Sequence, residues 1–198
     1  MPEDGLLLYI GRLVDKKGVD VLVEALARVD GARLEIVGDG PDRAALDQLA
    51  ARLGVADRVC FRGKLPKAGV LAALARAQVA VIPSRVGAGG DMEGTPVVLC
   101  EVMAAGVPVV ASNLGGLGEC IDDGLDGLLV PPGDVDALAA ALDKALTGGV
   151  DLAALGRAAT ATARRSLDIS VVGAAYAEVF AAATPAAHTP DRGDASLR

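Results

Sequence analysis

The sequence predicts an α/β protein, a three-layer α/β/α sandwich around a six-stranded parallel sheet. One observation is that short apolar runs recur along the chain and are continuous rather than alternating, as in strands covered on both faces. A second is that stretches of helical periodicity separate these runs. Strands that alternate with helices are typical of parallel sheets built from right-handed crossovers.

Six apolar runs are predicted to be the strands, and they occupy residues 6–10, 34–37, 59–61, 79–83, 107–112 and 127–131. Such sheets bind ligands beyond the carboxyl ends of their strands. The loops that follow the strands are therefore where a binding site is expected.

Seven helical patterns follow from apolar spacing and from start and stop residues. The first has an apolar stripe of Val19, Leu22, Val23 and Leu26. The second is expected to open at Pro41, to direct Leu46, Leu49 and Leu53 inward and to stop at Gly54. The others are expected at about 67–77, from Pro96 to about Ala105, from the cap Asp134 to Gly148, at about 151–165 and at 169–183.

Composition limits the partners. Residues 1–183 are expected to form one domain and 184–198 a disordered tail. The formal charge of −7 and the scarcity of aromatic residues argue against nucleic acid and against strong membrane association. No apolar run approaches the roughly 18 residues of a membrane span and no leading signal segment is recognised, so a cytoplasmic protein is expected.

The cysteines and the histidine indicate no chemistry by themselves. Three cysteines occur without a CxxC pair, and Cys60 and Cys100 are expected to be small buried hydrophobes. The one histidine, His188, lies in the predicted tail. The predicted domain therefore lacks the commonest general base.

The loop after the first strand, GRLVDKKG, is a candidate anion site. Arg12 and Lys17 stand five residues apart immediately before a helix, whose N-terminus adds positive potential. The alternative is two solvated surface charges paired with Asp15 or Asp20. Local pattern does not decide between the two interpretations.

The loops after the second and fourth strands are rich in glycine. The second, GDGPD, lacks the third glycine of a dinucleotide-binding GxGxxG motif, and no P-loop pattern occurs. The fourth contains four glycines between Gly87 and Gly94. Thr95 is expected to cap the following helix with Pro96 at its first position, so that free backbone N–H groups face the crevice.

Two glutamates, Glu93 and Glu101, stand eight residues apart in an apolar region. Neither has a basic neighbour in sequence, because no Lys or Arg occurs from Val86 to Asp143. An ionised carboxylate accepts two hydroxyls at once, which favours a polyol such as a sugar as ligand. The alternative is a long-range salt bridge, for example from Glu101 to Arg12 or Arg85.

Taken together, these motifs resemble the donor-binding, C-terminal half of retaining GT-B glycosyltransferases of the family 4 type. The resemblance rests on GRLVDKKG, IVGDGP, FRGKLP and the E-x7-E element EGTPVVLCE followed by AAGVPVVAS, and it covers about residues 5–147. It implies a Rossmann-like domain that is one half of a GT-B fold. The sequence around the glutamates is most similar to that of exopolysaccharide transferases of the colanic acid and amylovoran type.

The resemblance also implies roles for individual residues. Arg12 and Lys17 would neutralise the nucleotide diphosphate as leaving group, and Glu93 would contact the transferred sugar. Donor-binding roles would fall to Gly11, Leu65, Gly94, Thr95, Pro96 and Glu101, with Leu65 near the base and Glu101 on the ribose hydroxyls. The implied donor is a UDP- or GDP-hexose, and no metal ion or other cofactor is implied.

The family carries an acceptor-binding domain before the point where this sequence begins. The resemblance therefore implies a half enzyme that binds donor without efficient transfer, with helix 169–183 normally docked on the absent N-terminal domain. One alternative is a donor-binding subunit that meets a separately encoded acceptor-binding subunit. Less favoured are a fragment of a nucleotide-sugar epimerase and a Rossmann oxidoreductase.

Overall fold

The computed structural model describes residues 1–92, 94 and 97–183 of the 198-residue chain. The described part contains six strands: β1 (Leu6–Ile10), β2 (Arg33–Val37), β3 (Val59–Gly63), β4 (Val79–Ile82), β5 (Val109–Ser112) and β6 (Leu128–Val130). Its α-helices are α1 (Val19–Leu26), α2 (Arg43–Arg52), α3 (Lys67–Arg76), α4 (Val97–Ala104), α5 (Gly116–Cys120), α6 (Val135–Leu146), α7 (Leu152–Thr162) and α8 (Ile169–Ala183). All six predicted strands are confirmed.

The strands form one parallel sheet in the order β3-β2-β1-β4-β5-β6. The order reverses between β1 and β4, because β2 and β3 extend the sheet to one side of β1 and the later strands extend it to the other. Chains that leave two such neighbouring strands cross to opposite faces and open a crevice between them. The fold therefore creates its crevice at the carboxyl ends of β1 and β4.

Two hydrophobic cores cover the two faces of the sheet. The first packs α1, α2 and α6 against strand residues such as Leu7, Ile36 and Val81. The second packs α3, α4, α5 and α7 against the alternate residues of the same strands, such as Leu8 and Ile82. This alternation of inward residues confirms the three-layer sandwich and places α4 on the second face.

The predicted cap of α6 is confirmed. The Asp134 carboxylate accepts a hydrogen bond from the Ala137 N–H at 2.9 Å, and Asp151 accepts one from Ala154 at 2.9 Å at the start of α7. Each bond satisfies one N–H group that a helix N-terminus leaves without a partner inside the helix. Two aspartates thus fix where consecutive helices begin.

The prediction for α2 is wrong at its start and for Leu53, whereas the stop at Gly54 is confirmed. The helix begins at Arg43 rather than at Pro41, and Leu53, expected inward, is its C-cap with 38% of its surface exposed. The chain turns at Gly54, which has a φ of +70°, and buries Val55 instead. A bond from the Val55 N–H to the Ala50 carbonyl at 2.9 Å holds this turn.

The prediction that Cys60 is buried is also wrong, and Cys100 is only half-buried. Cys60 lies on the edge strand β3 in register with Glu35, on a part of the second face that is polar. Glu35 is 5% exposed and accepts two bonds from Arg76, at 2.7 and 2.9 Å. These bonds, followed by one to Glu3, raise the pKa of Arg76. An ion pair thus occupies this corner where apolar cover was expected.

The last two helical patterns are confirmed with a change of geometry between them. The predicted helix 151–165 is α7, which continues as a π-helical turn, Ala163–Leu167, before α8 begins. On α8, Ile169 is 84% exposed and Tyr176 is 62% exposed. The predicted tail, 184–198, lies outside the described residues. Within the described part, no helix has the length and apolar character needed to cross a bilayer.

Candidate functional site

The loops that leave β1 and β2 are joined through their backbones. The Gly11 N–H donates to the Val37 carbonyl at 2.9 Å, and the Leu13 N–H donates to the Asp39 carbonyl at 3.1 Å. Gly38 has a φ of +137°, and a Cβ there would overlap the Gly11 carbonyl oxygen. The glycines of GDGPD thus allow the loop after β2 to approach the loop after β1 closely.

A groove of about 490 Å³ lies over these loops, and we call it the strand-exit groove. Its lining residues are Gly11, Arg12, Gly38, Asp39, Gly40 and Lys64. Two predicted site residues, Gly11 and Arg12, are therefore brought together here. Lys64 adds a second cation that is not among the predicted site residues. It could have been found from its position directly after the third strand, because the carboxyl ends of all the parallel strands lie at the same edge of the sheet.

The Arg12 side chain is exposed, and it has no salt bridge with any of the described residues. Its backbone is fixed, because the buried Tyr9 hydroxyl donates to the Arg12 carbonyl at 2.9 Å. A Cβ on Gly11 would lie 2.7 Å from that hydroxyl oxygen. The turn therefore requires a small residue next to Arg12 and presents an exposed cation to the groove.

The loop after β1 is also joined to the loop after β4. The Arg85 N–H donates to the Lys16 carbonyl at 2.9 Å. The Arg85 guanidinium contacts Asp15 at 2.5 Å and Asp20 at 2.9 Å. The carboxylates proposed as alternative partners of Arg12 and Lys17 thus bind Arg85. The alternative salt bridge from Glu101 to Arg85 does not form within the described part of the chain.

Asp15 holds the two loops together through a second contact. Its carboxylate accepts a bond from the Ala88 N–H at 2.8 Å, and this bond, with Arg85 as the next cause, lowers the pKa of Asp15. Lys16 contacts Asp91 farther along the same loop at 2.8 Å. The β4 exit loop is thereby attached to the turn that contains Lys17.

Lys17 ends a 3-10 turn, Asp15–Lys17, and its side chain is half-buried. Gly18 follows with a φ of +63°, and a Cβ there would overlap the Pro83 carbonyl oxygen. Helix α1 begins at the next residue. The predicted arrangement of a cation before a helix N-terminus is therefore present, although Lys17 does not line the strand-exit groove with Arg12.

Glu101 lies on α4 in a different groove. This helix groove, of about 290 Å³, is lined by Cys100, Glu101, Ala104, Ala163, Arg164, Leu167 and Asp168. Glu101 is exposed and forms no salt bridge with the described residues. Beside it, partial burial raises the pKa of the Cys100 thiol, with smaller contributions from Cys120 and Glu101. Glu101 therefore presents its carboxyl group to solvent at this groove.

The remaining predicted residues fall into two groups. Leu65 follows Lys64, is partly buried against the second core and would contact a Cβ placed on Gly69 at 3.1 Å. Gly94 is exposed, with open space around it. Glu93, Thr95 and Pro96 lie outside the described residues, so their roles stay predictions.

Among the described residues, no group of three or more His, Cys, Asp and Glu side chains is arranged to hold a metal ion. Asp134 and Asp136 have Asp-x-Asp spacing, but both have structural roles and do not form such a group. Asp134 caps α6, and Asp136 forms a surface ion pair with Arg28.

Comparison with known proteins identifies the family. The family described as "Glycosyl transferases group 1" matches residues 2–162. A GDP-mannose-dependent alpha-(1-6)-phosphatidylinositol monomannoside mannosyltransferase of Mycobacterium tuberculosis is 44% identical over 157 residues, which are 77% of this chain and 41% of that protein. The amylovoran biosynthesis glycosyltransferase AmsK of Erwinia amylovora is 35% identical over 178 residues, 88% of this chain and 44% of that protein.

Among solved structures, Anabaena Alr3699/HepE in complex with UDP is similar with a TM-score of 0.80 and 26% identity. The match covers 90% of this chain and 49% of that one. The chain therefore spans less than half the length of these relatives and has the fold of one half of a GT-B enzyme.

Proposed function

The chain belongs to the group 1 glycosyl transferases, and we propose that it is the donor-binding half of a retaining glycosyltransferase. The reaction would transfer a hexose from a nucleotide-diphosphate sugar to a glycan or lipid-linked acceptor. The observation that carries the proposal is the strand-exit groove at the carboxyl ends of β1, β2 and β3, beside the reversal of strand order, where Arg12 and Lys64 line the same space. Crevices of this kind are where open α/β sheets bind nucleotides.

The relatives support a nucleotide-sugar donor. One of them is named as GDP-mannose-dependent, and Anabaena Alr3699/HepE has been solved with UDP and with UDP-glucose. We therefore propose UDP- or GDP-hexose as the donor. The similarity to AmsK supports a role in polysaccharide synthesis.

In the proposed reaction, negative charge develops on the diphosphate as the bond to the sugar breaks. A cation already in place stabilises that charge more in the transition state than in the bound donor. Arg12, exposed on a fixed backbone, and Lys17, at the start of α1, are proposed for this role. Because the cationic side chains of Arg12 and Lys17 would supply the neutralisation, the proposal requires no metal ion.

The contacts proposed for the ribose, the base and the transferred sugar follow from the chemistry of the groups near them, first of all the two carboxylates. Glu101 is proposed to accept bonds from the two ribose hydroxyls, since an ionised carboxylate is an acceptor only. Leu65, next to Lys64, is proposed to contact the base, and Gly11 to admit the phosphates. The proposed sugar contacts fall to Glu93 and to the backbone of Gly94, Thr95 and Pro96.

The acceptor site is proposed to belong to a further domain. The chain covers 41% and 44% of the curated relatives described above, so half of the catalytic cleft would come from elsewhere. The exposed Ile169 and Tyr176 on α8 support a surface that another domain or subunit covers. Donor binding with inefficient transfer is the expected behaviour of this chain on its own.

Calorimetric titration with UDP, GDP and dTDP, and with their hexose conjugates, tests the proposal. We expect one nucleotide series to bind, and Arg12→Gln to weaken the diphosphate about 10- to 150-fold, the equivalent of losing a charge-assisted hydrogen bond. Arg33→Gln is the matched control, because Arg33 is the first residue of β2 and lies at the amino end of the strands, opposite the groove. Equal losses in both variants, or a folded chain that binds no nucleotide, would contradict the proposal.

A further inference from the structure

Ser84 is a buried polar residue at the carboxyl end of β4, and its hydroxyl has no partner among the described residues. Its residue is 0% exposed, and its hydroxyl oxygen has no hydrogen-bond partner in the part of the chain that the structure describes. Among the described residues it is the one buried side-chain oxygen or nitrogen in this condition. Burying a hydroxyl without a hydrogen bond costs free energy, so such a group calls for an explanation.

The position of Ser84 is fixed on both sides by the loop after β1. The preceding Pro83 carbonyl lies against Gly18, and the following Arg85 N–H donates to the Lys16 carbonyl at 2.9 Å. Ser84 therefore lies beside the turn that contains Lys17, at the carboxyl end of β4. Two backbone contacts keep it there whether or not its hydroxyl is bonded.

The alternation of β4 indicates the direction of the side chain. Val81 packs in the first core and Ile82 in the second. Pro83 returns to the first face, where its Cβ would lie 3.8 Å from a Cβ on Gly18. Continuing the alternation by one residue directs Ser84 to the second face, where α4 packs. Ser84 thus lies beside Lys17 and the start of α1, both of which attract an anion.

We propose that Ser84 is a further donor-binding residue, whose hydroxyl donates a hydrogen bond to a diphosphate oxygen of the nucleotide sugar. This inference rests on the proposed function and adds a residue to its site. A phosphate oxygen is an acceptor only, so it suits a hydroxyl that has no acceptor among the described residues. Ser84 is fully buried, so the contact requires that binding of the donor expose its hydroxyl.

The experiment compares Ser84→Ala with Thr162→Ala, which removes a hydroxyl that does have partners, Asp126 at 2.7 Å and Arg165 at 3.2 Å. Thermal unfolding without ligand is measured first. We expect Ser84→Ala to leave the melting temperature unchanged or to raise it, because no bond is lost. Thr162→Ala should lower it. A comparable fall in Ser84→Ala would mean that the hydroxyl is bonded within the fold, and would overturn the proposal.

Binding is then measured with the nucleoside, monophosphate, diphosphate and diphosphohexose of whichever base, uracil or guanine, the unaltered chain binds. We expect Ser84→Ala to weaken the diphosphate about tenfold or more and to leave the nucleoside unchanged. An unchanged diphosphate affinity overturns this inference while the proposed function stands. A loss seen with the nucleoside, or only with the diphosphohexose, places the contact elsewhere and also overturns it. If the unaltered chain binds none of these compounds, the proposed function itself fails.

Discussion

The two grooves that contain the predicted donor-binding residues are built in different ways. The strand-exit groove is formed by the backbones of loops after β1, β2 and β3, held together by bonds such as that from Gly38 N–H to the Gly63 carbonyl at 2.8 Å. The helix groove is formed by side chains of α4 and of the segment that follows α7. The shape of the strand-exit groove therefore depends on its glycines, whereas the shape of the helix groove depends on the charges and sizes of its side chains.

This difference teaches which substitutions each groove tolerates. Removing a side chain in the strand-exit groove leaves the loops in place, whereas adding a methyl group at a close approach forces them apart. In the helix groove, the shape depends on the side chains themselves. A substitution should therefore affect ligand binding and stability to different extents in the two grooves.

The largest expected effect follows Gly38→Ala. The new Cβ would overlap the Gly11 carbonyl, and the residue would keep a φ of +137°. We expect a loss of about 2–6 kcal/mol in the free energy of unfolding, from backbone strain and overpacking together. Gly54→Ala is the control, since it also has a positive φ but open space around it, and should cost about 1–2 kcal/mol. Urea denaturation measures both, and equal losses would contradict a backbone-built groove.

Glu101→Gln tests the side-chain groove. We expect stability to be unchanged, because Glu101 is exposed, and affinity for the bound nucleotide to fall by about 1.5–3 kcal/mol. Removing the ribose hydroxyls from the ligand should cost the unaltered chain a similar amount. The two losses should not add when combined, since they remove the same contact. Calorimetry measures this cycle, with the exposed Glu119→Gln as control; additive losses would place the ribose elsewhere.

A pH titration contrasts two aspartates with lowered pKa values, Asp15 in the loop after β1 and Asp168 in the helix groove. Ala88 N–H and Arg85 lower the pKa of Asp15, and Ser170 lowers that of Asp168, by its side chain and then by its N–H. A carboxyl whose folded pKa is depressed contributes stability above its unfolded value, and this is lost as the pH falls through the folded value. Both contributions should therefore disappear below about pH 4.

The consequence should differ, because Asp15 joins residues 73 positions apart whereas Asp168 bonds a residue two positions on. NMR should show the Ala88 amide shifting together with the Asp15 carboxyl, as the β4 exit loop loosens. The protonation of Asp168 should affect only the start of α8. An Ala88 amide that does not follow Asp15 would show that the loops are held by other contacts.

The smallest expected effect is in thiol reactivity. Cys60 is exposed, whereas Cys100 is half-buried in the helix groove with a raised pKa. Since the thiolate is the nucleophile, iodoacetamide at neutral pH should modify Cys100 several-fold more slowly than Cys60. A nucleotide held by Glu101 should slow Cys100 further. Peptide mass spectrometry measures both rates, and nucleotide protection of Cys60 instead would argue against the helix groove.

Most of the fold could be predicted because its signals are local. Apolar runs marked the six strands, and caps and stops such as Asp134 and Gly54 marked helix ends within a few residues. The exceptions depend on tertiary packing. Leu53 and Cys60 fit an inward pattern, but a turn buries Val55 instead, and the Glu35–Arg76 pair makes the face around Cys60 polar.

The site could be predicted only in part, for a related reason. Motif spacing identified Arg12 and Glu101 as candidates, yet it could not show that they lie in different grooves. The roles of Arg85 and Lys64 arise from contacts between loops distant in sequence, such as Arg85 with Asp15. These contacts cannot be read from a single sequence. Nor does it reveal that the Ser84 hydroxyl has no partner within the described part of the chain, since this depends on every group around it.

The buried Tyr9 gives the strand-exit groove an optical reporter. The chain has no Trp and two Tyr, and the second, Tyr176, is exposed on α8. Intrinsic fluorescence therefore has two sources, of which a soluble quencher should reach Tyr176 far more readily than Tyr9. Because the Tyr9 hydroxyl holds the carbonyl of Arg12, the protected component follows the geometry of that turn. A change in the turn that presents Arg12 to the groove can thus be followed in the unlabelled chain.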